Sequence, residues 1–112
     1  MNSDTRRFIR YVKTHCRGQE NSRHGDEIAE VLELPNARAV RDCMEAANEA
    51  GELIGAVPSK GYWWIVSAED GEHAVLHNYA QGNKHLKNAR NLEEAVLRAY
   101  GPPQLFSEKA NA

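Results

Sequence analysis

Residues 25–54, GDEIAEVLELPNARAVRDCMEAANEAGELI, and residues 59–67, SKGYWWIVS, decide how this 112-residue chain is organised. In the first stretch Ile28, Ala29 and Leu32 form a short amphipathic stripe that Leu34-Pro35 interrupts, because proline disfavours helical geometry in the residue before it. The pattern predicts a helix of two to three turns. Asn36, pre-set by the preceding proline, stands where a side-chain oxygen caps the next helix. On that helix Val40, Met44 and Ala47 share one face, Cys43 lies beside it, and Gly51 supplies the stop. Arg38, Arg41 and Asp42 point elsewhere.

A short helix, a turn of about three residues, and a longer helix whose polar residues gather at its amino-terminal end describe a helix-turn-helix. Upstream, Ser3 or Asp4 is placed to cap a first helix carrying Phe8, Ile9, Val12 and Cys16 at helical spacing, with Gly18 as its stop. The polar stretch from Arg17 to Gly25 reads as a loop. Downstream, the apolar runs Leu53–Val57 and Tyr62–Val66 flank Pro58-Ser59-Lys60-Gly61 and predict a hairpin. Ser67 with Asp70 opens a further helix in the manner of a capping box. Val75, Tyr79, Gly82, Leu86, Ala89, Val96 and Tyr100 then recur at spacings of 4, 3, 4, 3, 7 and 4, one stripe that Gly101-Pro102-Pro103 ends. The expected organisation is a mainly α chain with a small β-hairpin. Residues 1–66 form the helix-turn-helix unit with its hairpin, 67–101 a long C-terminal helix, and 102–112 a disordered tail.

Composition narrows the functional classes. With 41% apolar and 27% charged residues and a net charge of −2, the chain has the make-up of one globular domain and lacks a strong overall cationic character. No apolar run spans a bilayer and no signal-like segment opens the chain, so a cytoplasmic location without membrane contact is expected. Two cysteines, Cys16 and Cys43, suggest no disulfide framework and fit small apolar packing in a reduced compartment. Charge is unevenly placed. Residues 1–24 set six basic side chains against Asp4 and Glu20, a net +4, whereas residues 25–57 set only Arg38 and Arg41 against eight acids, a net −6.

The order helix, helix, helix, strand, turn, strand, helix over residues 5–66, carried by the two quoted stretches, resembles the winged helix-turn-helix family. It is most similar to the small winged-helix proteins of phages and prophages, with a "GYWI"-like block before a Ser-capped helix, and more distantly to the amino-terminal domain of biotin repressors. The loop from Arg17 to Gly25 is longer than usual for that family, and the wing, with Lys60 alone, is less basic. The resemblance implies sequence-specific binding of double-stranded DNA by a transcriptional regulator or replication-origin binder, with no cofactor. It places Asn36, Ala37, Arg38 and Arg41 on the recognition helix and Ser59 and Lys60 at the wing tip. The family also contains members that bind only proteins, and an adaptor or inhibitor of a host protein is the competing reading; the net −6 segment favours it.

The residues carry their own chemistry. Arginine donates two hydrogen bonds to guanine O6 and N7, worth about 1–3 kcal/mol of base discrimination. Arg38 and Arg41 also lie four residues from Asp42 and Glu45 respectively, so a solvated, self-paired face competes with a DNA contact. Arg23 and His24, before the second helix, are candidate phosphate contacts. Arg6, Arg10, Lys13 and Arg17 recur every three or four residues, either a solvated face or a phosphate-binding one. Adjacent Trp63 and Trp64 must point to opposite faces of a strand, with one in the core. His73 and His77 have the spacing of a two-histidine metal face, with His85 two turns on, but no further ligand completes a shell, and no metal site is expected. His15-Cys16 lacks an orienting acid, so no enzyme is expected. The long stripe exceeds what a small domain covers, which points to a homodimer through Leu86, Ala89, Leu92, Val96 and Tyr100; a fold-back with a break near Gly82 or Asn91 is the alternative.

Overall fold

The computed structural model describes residues 1–81 and 86–102. Helix α1 spans Ser3–His15, α2 Gly25–Val31 and α3 Ala37–Glu49. Strands β1 (Ile54–Val57) and β2 (Gly61–Trp64) pair antiparallel, and helices α4 (Ala68–Ala80) and α5 (Leu86–Tyr100) follow. The mainly helical chain with one small hairpin is as expected. Among the described residues no helix is long and apolar enough to cross a membrane.

Caps explain most boundaries. Asn36 and Ser67 accept the Ala39 and Asp70 amides at 3.0 and 3.1 Å. At α1 the cap is Asn2, which accepts from the Thr5 amide at 2.7 Å, rather than Ser3 or Asp4; Asp4 sits in the first turn and pairs with Arg7 at 3.2 Å. Asp70 does not close a reciprocal box with Ser67. Its two oxygens accept from the Val66 and Gln19 amides, both at 3.1 Å, and so tie α4 to the segment after α1.

That segment is not a free loop. It contains a 3₁₀ turn at Gln19–Asn21 and bonds along the outer edge of β2: Trp64 donates to the Cys16 carbonyl at 2.7 Å and Gly18 donates to Trp64 at 2.8 Å. Arg23 and Tyr62 exchange a pair of bonds at 2.8 and 3.0 Å. The extra length therefore makes two isolated bridges, parallel at Arg17–Trp64 and antiparallel at Arg23–Tyr62, and covers an edge otherwise left with unpaired backbone groups.

The hairpin is a middle layer. In the register Ile54↔Trp64 and Gly55↔Trp63, Ile54 and Trp64 pack with Phe8, Val12, Ile28, Val40 and Ala47 of the three-helix side. Trp63 packs with Ile65, Ala74, Val75, Leu92 and Val96 of the α4–α5 side. Both tryptophans are buried, at 0% and 7% exposure. Gly55 makes this possible, since a Cβ there would stand 2.7 Å from the Trp63 ring. The indole Nε1 of Trp63 is buried without a hydrogen-bond partner among the described residues.

The long C-terminal helix is corrected. Helix α4 ends at Ala80, and α5 folds back along it, so the stripe that was expected to meet a second subunit closes within one chain. Ala89, Leu92 and Val96 are buried at 0%, 1% and 5% exposure. Leu86 is half-buried, and the Tyr100 hydroxyl donates to the Ile65 carbonyl at 2.9 Å. Asn48 of α3 donates to the Asn88 carbonyl at 3.1 Å and accepts from Asn91 at 3.0 Å, which locks α5 to the first layer. A helical stripe has the same spacing whether its partner is another chain or the next helix, and here the packing of α5 against α4 and Trp63 decides for the latter. Gly82, His85 and the expected tail beyond Pro102 lie outside the described residues.

Two outcomes are expected. Gly61 has φ +98, and a Cβ on it would come within 2.3 Å of the Arg23 carbonyl oxygen, whereas Gly101 at φ +74 has nothing within 4 Å. In urea unfolding Gly61→Ala therefore loses at least about 2 kcal/mol and Gly101→Ala about 1 kcal/mol or less. Leu92→Ala loses about 2–5 kcal/mol, and the loss is the same at micromolar and near-millimolar protein, which an intermolecular role for Leu92 would not produce.

Candidate nucleic-acid interface

The amino-terminal half of α3 is presented to solvent by its own geometry. At about 100° per residue, burying Val40, Cys43 and Ala47 turns Arg38, Arg41 and Glu45 outward, and all three are exposed. Among the described residues the ion pairs are Arg7–Asp4 and Lys87–Glu49, and neither arginine of α3 is in one. Asp42 lines the crevice between α1 and α3 together with Asp4 and Thr5. Asn36 is committed differently. Its Oδ1 holds the Ala39 amide, which fixes the side chain at the helix end and leaves Nδ2 as its free donor. Ala37 is half-buried.

Beside α3, the β1–β2 turn carries Ser59, exposed, and Lys60, half-buried, whose amide donates to the Val57 carbonyl at 2.9 Å. Arg23 is on the strand edge next to this wing, not in a loop, and its side chain is exposed. His24 precedes α2 and makes no side-chain cap bond. Tyr62 sits between these elements: its backbone pairs with Arg23 and its ring meets Phe8 edge-on at 5.6 Å. Burial pushes its phenol pKa up, and the nearby Arg41 guanidinium opposes that rise.

A cleft of about 660 Å³ runs between α3 and the hairpin. Of the residues singled out in the sequence, His24, Ala37 and Arg41 line it, while Arg23, Asn36, Arg38, Ser59 and Lys60 do not. The far wall is His77, Asn78 and Gln81 of α4 with Asn88 of α5. None of the four is expected at this surface from the sequence, where His77 reads only as half of a metal face, because a single straight helix carries them away from α3; the hints are Gly82 and Asn91 as possible breaks. Asp26 and Glu45 add carboxylates to the lining, so the surface is mixed in sign around Arg41.

The other chemical candidates have structural places. Cys16 and Cys43 are buried, and burial raises both thiol pKa values, opposed by Arg23 at Cys16 and by the Thr5 hydroxyl at Cys43. A buried thiol held protonated is a poor nucleophile. His73 Nδ1 lies 3.1 Å from Gln19 Oε1, and His77 faces the cleft. Among the described residues no three metal-ligating side chains come together. Comparison with family models, curated proteins and solved structures returns no match.

The thiols make a pH prediction. Each binds its proton more tightly folded than at its unfolded value of 9.0, so their contribution is complete below that pH and lost as pH rises past it. Unfolding free energy therefore declines above pH about 9, less so in a Cys16→Ala, Cys43→Ala variant, and at pH 8 a thiol reagent labels both cysteines far more slowly in native protein than in urea.

Proposed function

We propose that the chain binds double-stranded DNA sequence-specifically, in the manner of a winged helix-turn-helix regulator or replication-origin binder of phage type. The observation that carries the reading is the state of Arg38 and Arg41: exposed, and among the described residues in no ion pair with the carboxylates four positions away, Asp42 and Glu45. An exposed guanidinium fork without an internal partner is the group that reads guanine in the major groove. In this reading the amino-terminal half of α3 enters the groove and Arg38 and Arg41 meet base edges. Asn36 donates a single bond through Nδ2. Arg23, His24 and the wing residues Ser59 and Lys60 meet phosphates and set the register. Occupancy of the site is the mechanism, and no cofactor takes part.

A second reading rests on Asp26 and Glu45, which put two carboxylates beside Arg41 in the cleft. Carboxylates repel phosphate, and a host protein with a complementary basic and polar surface would suit that lining better.

A mobility-shift titration with a pool of duplex sequences separates the two. The expected result is micromolar or tighter binding at low salt that selects a subset of sequences. Arg38→Ala with Arg41→Ala should weaken the selected complex by about 2–6 kcal/mol in total while leaving random duplex less affected. Absence of any shift at micromolar protein and low salt sinks the DNA reading and leaves the protein partner.

A further inference from the structure

Helix α1 carries a row of cations that, among the described residues, enters no ion pair. Arg6, Arg10 and Lys13 lie four and three residues apart on α1 and are exposed, a line of about 10 Å at 1.5 Å per residue. Arg17 continues the sequence pattern but lies beyond the end of α1, bridged to Trp64 by its backbone. Among the described residues none of the three helical cations meets a carboxylate: Arg6 donates to the Met1 carbonyl at 2.8 Å, Lys13 stands 5.3 Å from the centre of the Trp64 ring, and Arg10 has no side-chain partner. Arg7, one residue off the row, is the contrast. It is fixed by Asp4 and by the Leu32 carbonyl and serves the fold.

Such a row works against the helix. Like charges three and four residues apart repel, and only the last turn, with Lys13, gains from the helix dipole. Asp4 is the one acid of α1, and it is spent on Arg7. None of the three cations lines the cleft between α3 and the hairpin, so the row is a separate surface.

We propose that Arg6, Arg10 and Lys13 form a second, sequence-independent contact with the phosphate backbone of duplex DNA, apart from the face presented by α3. Charge complementarity identifies the occupant. A straight row of cations matches a line of phosphates spaced along a strand. An anionic bilayer is a poorer match, because a helix lying in a membrane interface exposes large apolar residues beside its basic ones, and here Phe8 and Val12 are buried. The inference does not rest on Arg38 and Arg41 reading bases.

The test is the salt dependence of binding to a fluorescently labelled random-sequence duplex, followed by anisotropy. The slope of log affinity against log salt falls by about 0.9 for each phosphate contact removed, so the Arg6→Gln, Arg10→Gln, Lys13→Gln variant should lower it by about 2.7. Arg6→Lys with Arg10→Lys should keep the original slope. Because Lys13 also lies over the Trp64 ring and Arg6 bonds the Met1 carbonyl, Arg10→Gln alone is the stability control: it should melt no lower than the parent, since it relieves repulsion, and a structural role would predict the opposite. The Arg38→Ala, Arg41→Ala variant should act independently, so loss of its effect with the α1 effect intact condemns the α3 reading alone. An unchanged slope in the glutamine variant overturns the α1 proposal, as does a loss of binding to phosphatidylserine vesicles with duplex binding unaltered.

Discussion

Trp63 and Trp64 are consecutive on β2, and strand alternation sends one ring to each face of a two-stranded ribbon. Both faces are covered, so each ring enters a core: Trp64 the layer of α1, α2 and α3, Trp63 the layer of α4 and α5. At roughly 150–250 Å² of buried area per large aromatic, each ring contributes roughly 4–6 kcal/mol of hydrophobic stabilisation. The Trp63 side gives some of this back through an indole N–H that has no partner among the described residues. A ribbon of two short strands has little stability by itself; here the two layers hold it between them, and it joins them.

This sandwich positions every element of the candidate interface. The β2 edge is paired with Cys16, Gly18 and Arg23, which places Arg23 beside the wing and fixes where α2 begins. Gly61 lets the wing turn pass against the Arg23 carbonyl. On the opposite side the side-chain amides of Asn48 and Asn91 and the backbone carbonyl of Asn88 join α3 to α5, so the carboxyl-terminal half of α3 is held while its amino-terminal half stays open.

The chain is acidic overall, yet its cations are set apart from its acids. Arg7 and Lys87 are engaged in ion pairs, while among the described residues the arginines of α3 and the row on α1 enter none. Net charge therefore says little about what this surface attracts, because phosphate responds to local fields within about a Debye length of about 8 Å. The acids near Arg41 temper that field, and this mixture makes a protein partner the natural competitor for the same surface.

Local order was legible in the residues themselves. The Asn36 and Ser67 caps, the stripes of α1, α2 and α3, and the hairpin follow from spacing and capping chemistry, which act within a few positions of the chain. So did the exposure of Arg38 and Arg41, since burying Val40 and Ala47 leaves them no other direction. Distance along the chain hid the rest. The apolar stripe from Val75 to Tyr100 reads the same whether it meets a neighbour or folds on itself, and only packing chose the second, burying Leu92 and Val96 within the chain. The stretch from Arg17 to Arg23 carries no strand pattern and pairs because β2 offers it open hydrogen-bonding groups. Whether a carboxylate three residues from an arginine reaches it was likewise settled by tertiary structure, because side-chain direction depends on what else each group can contact.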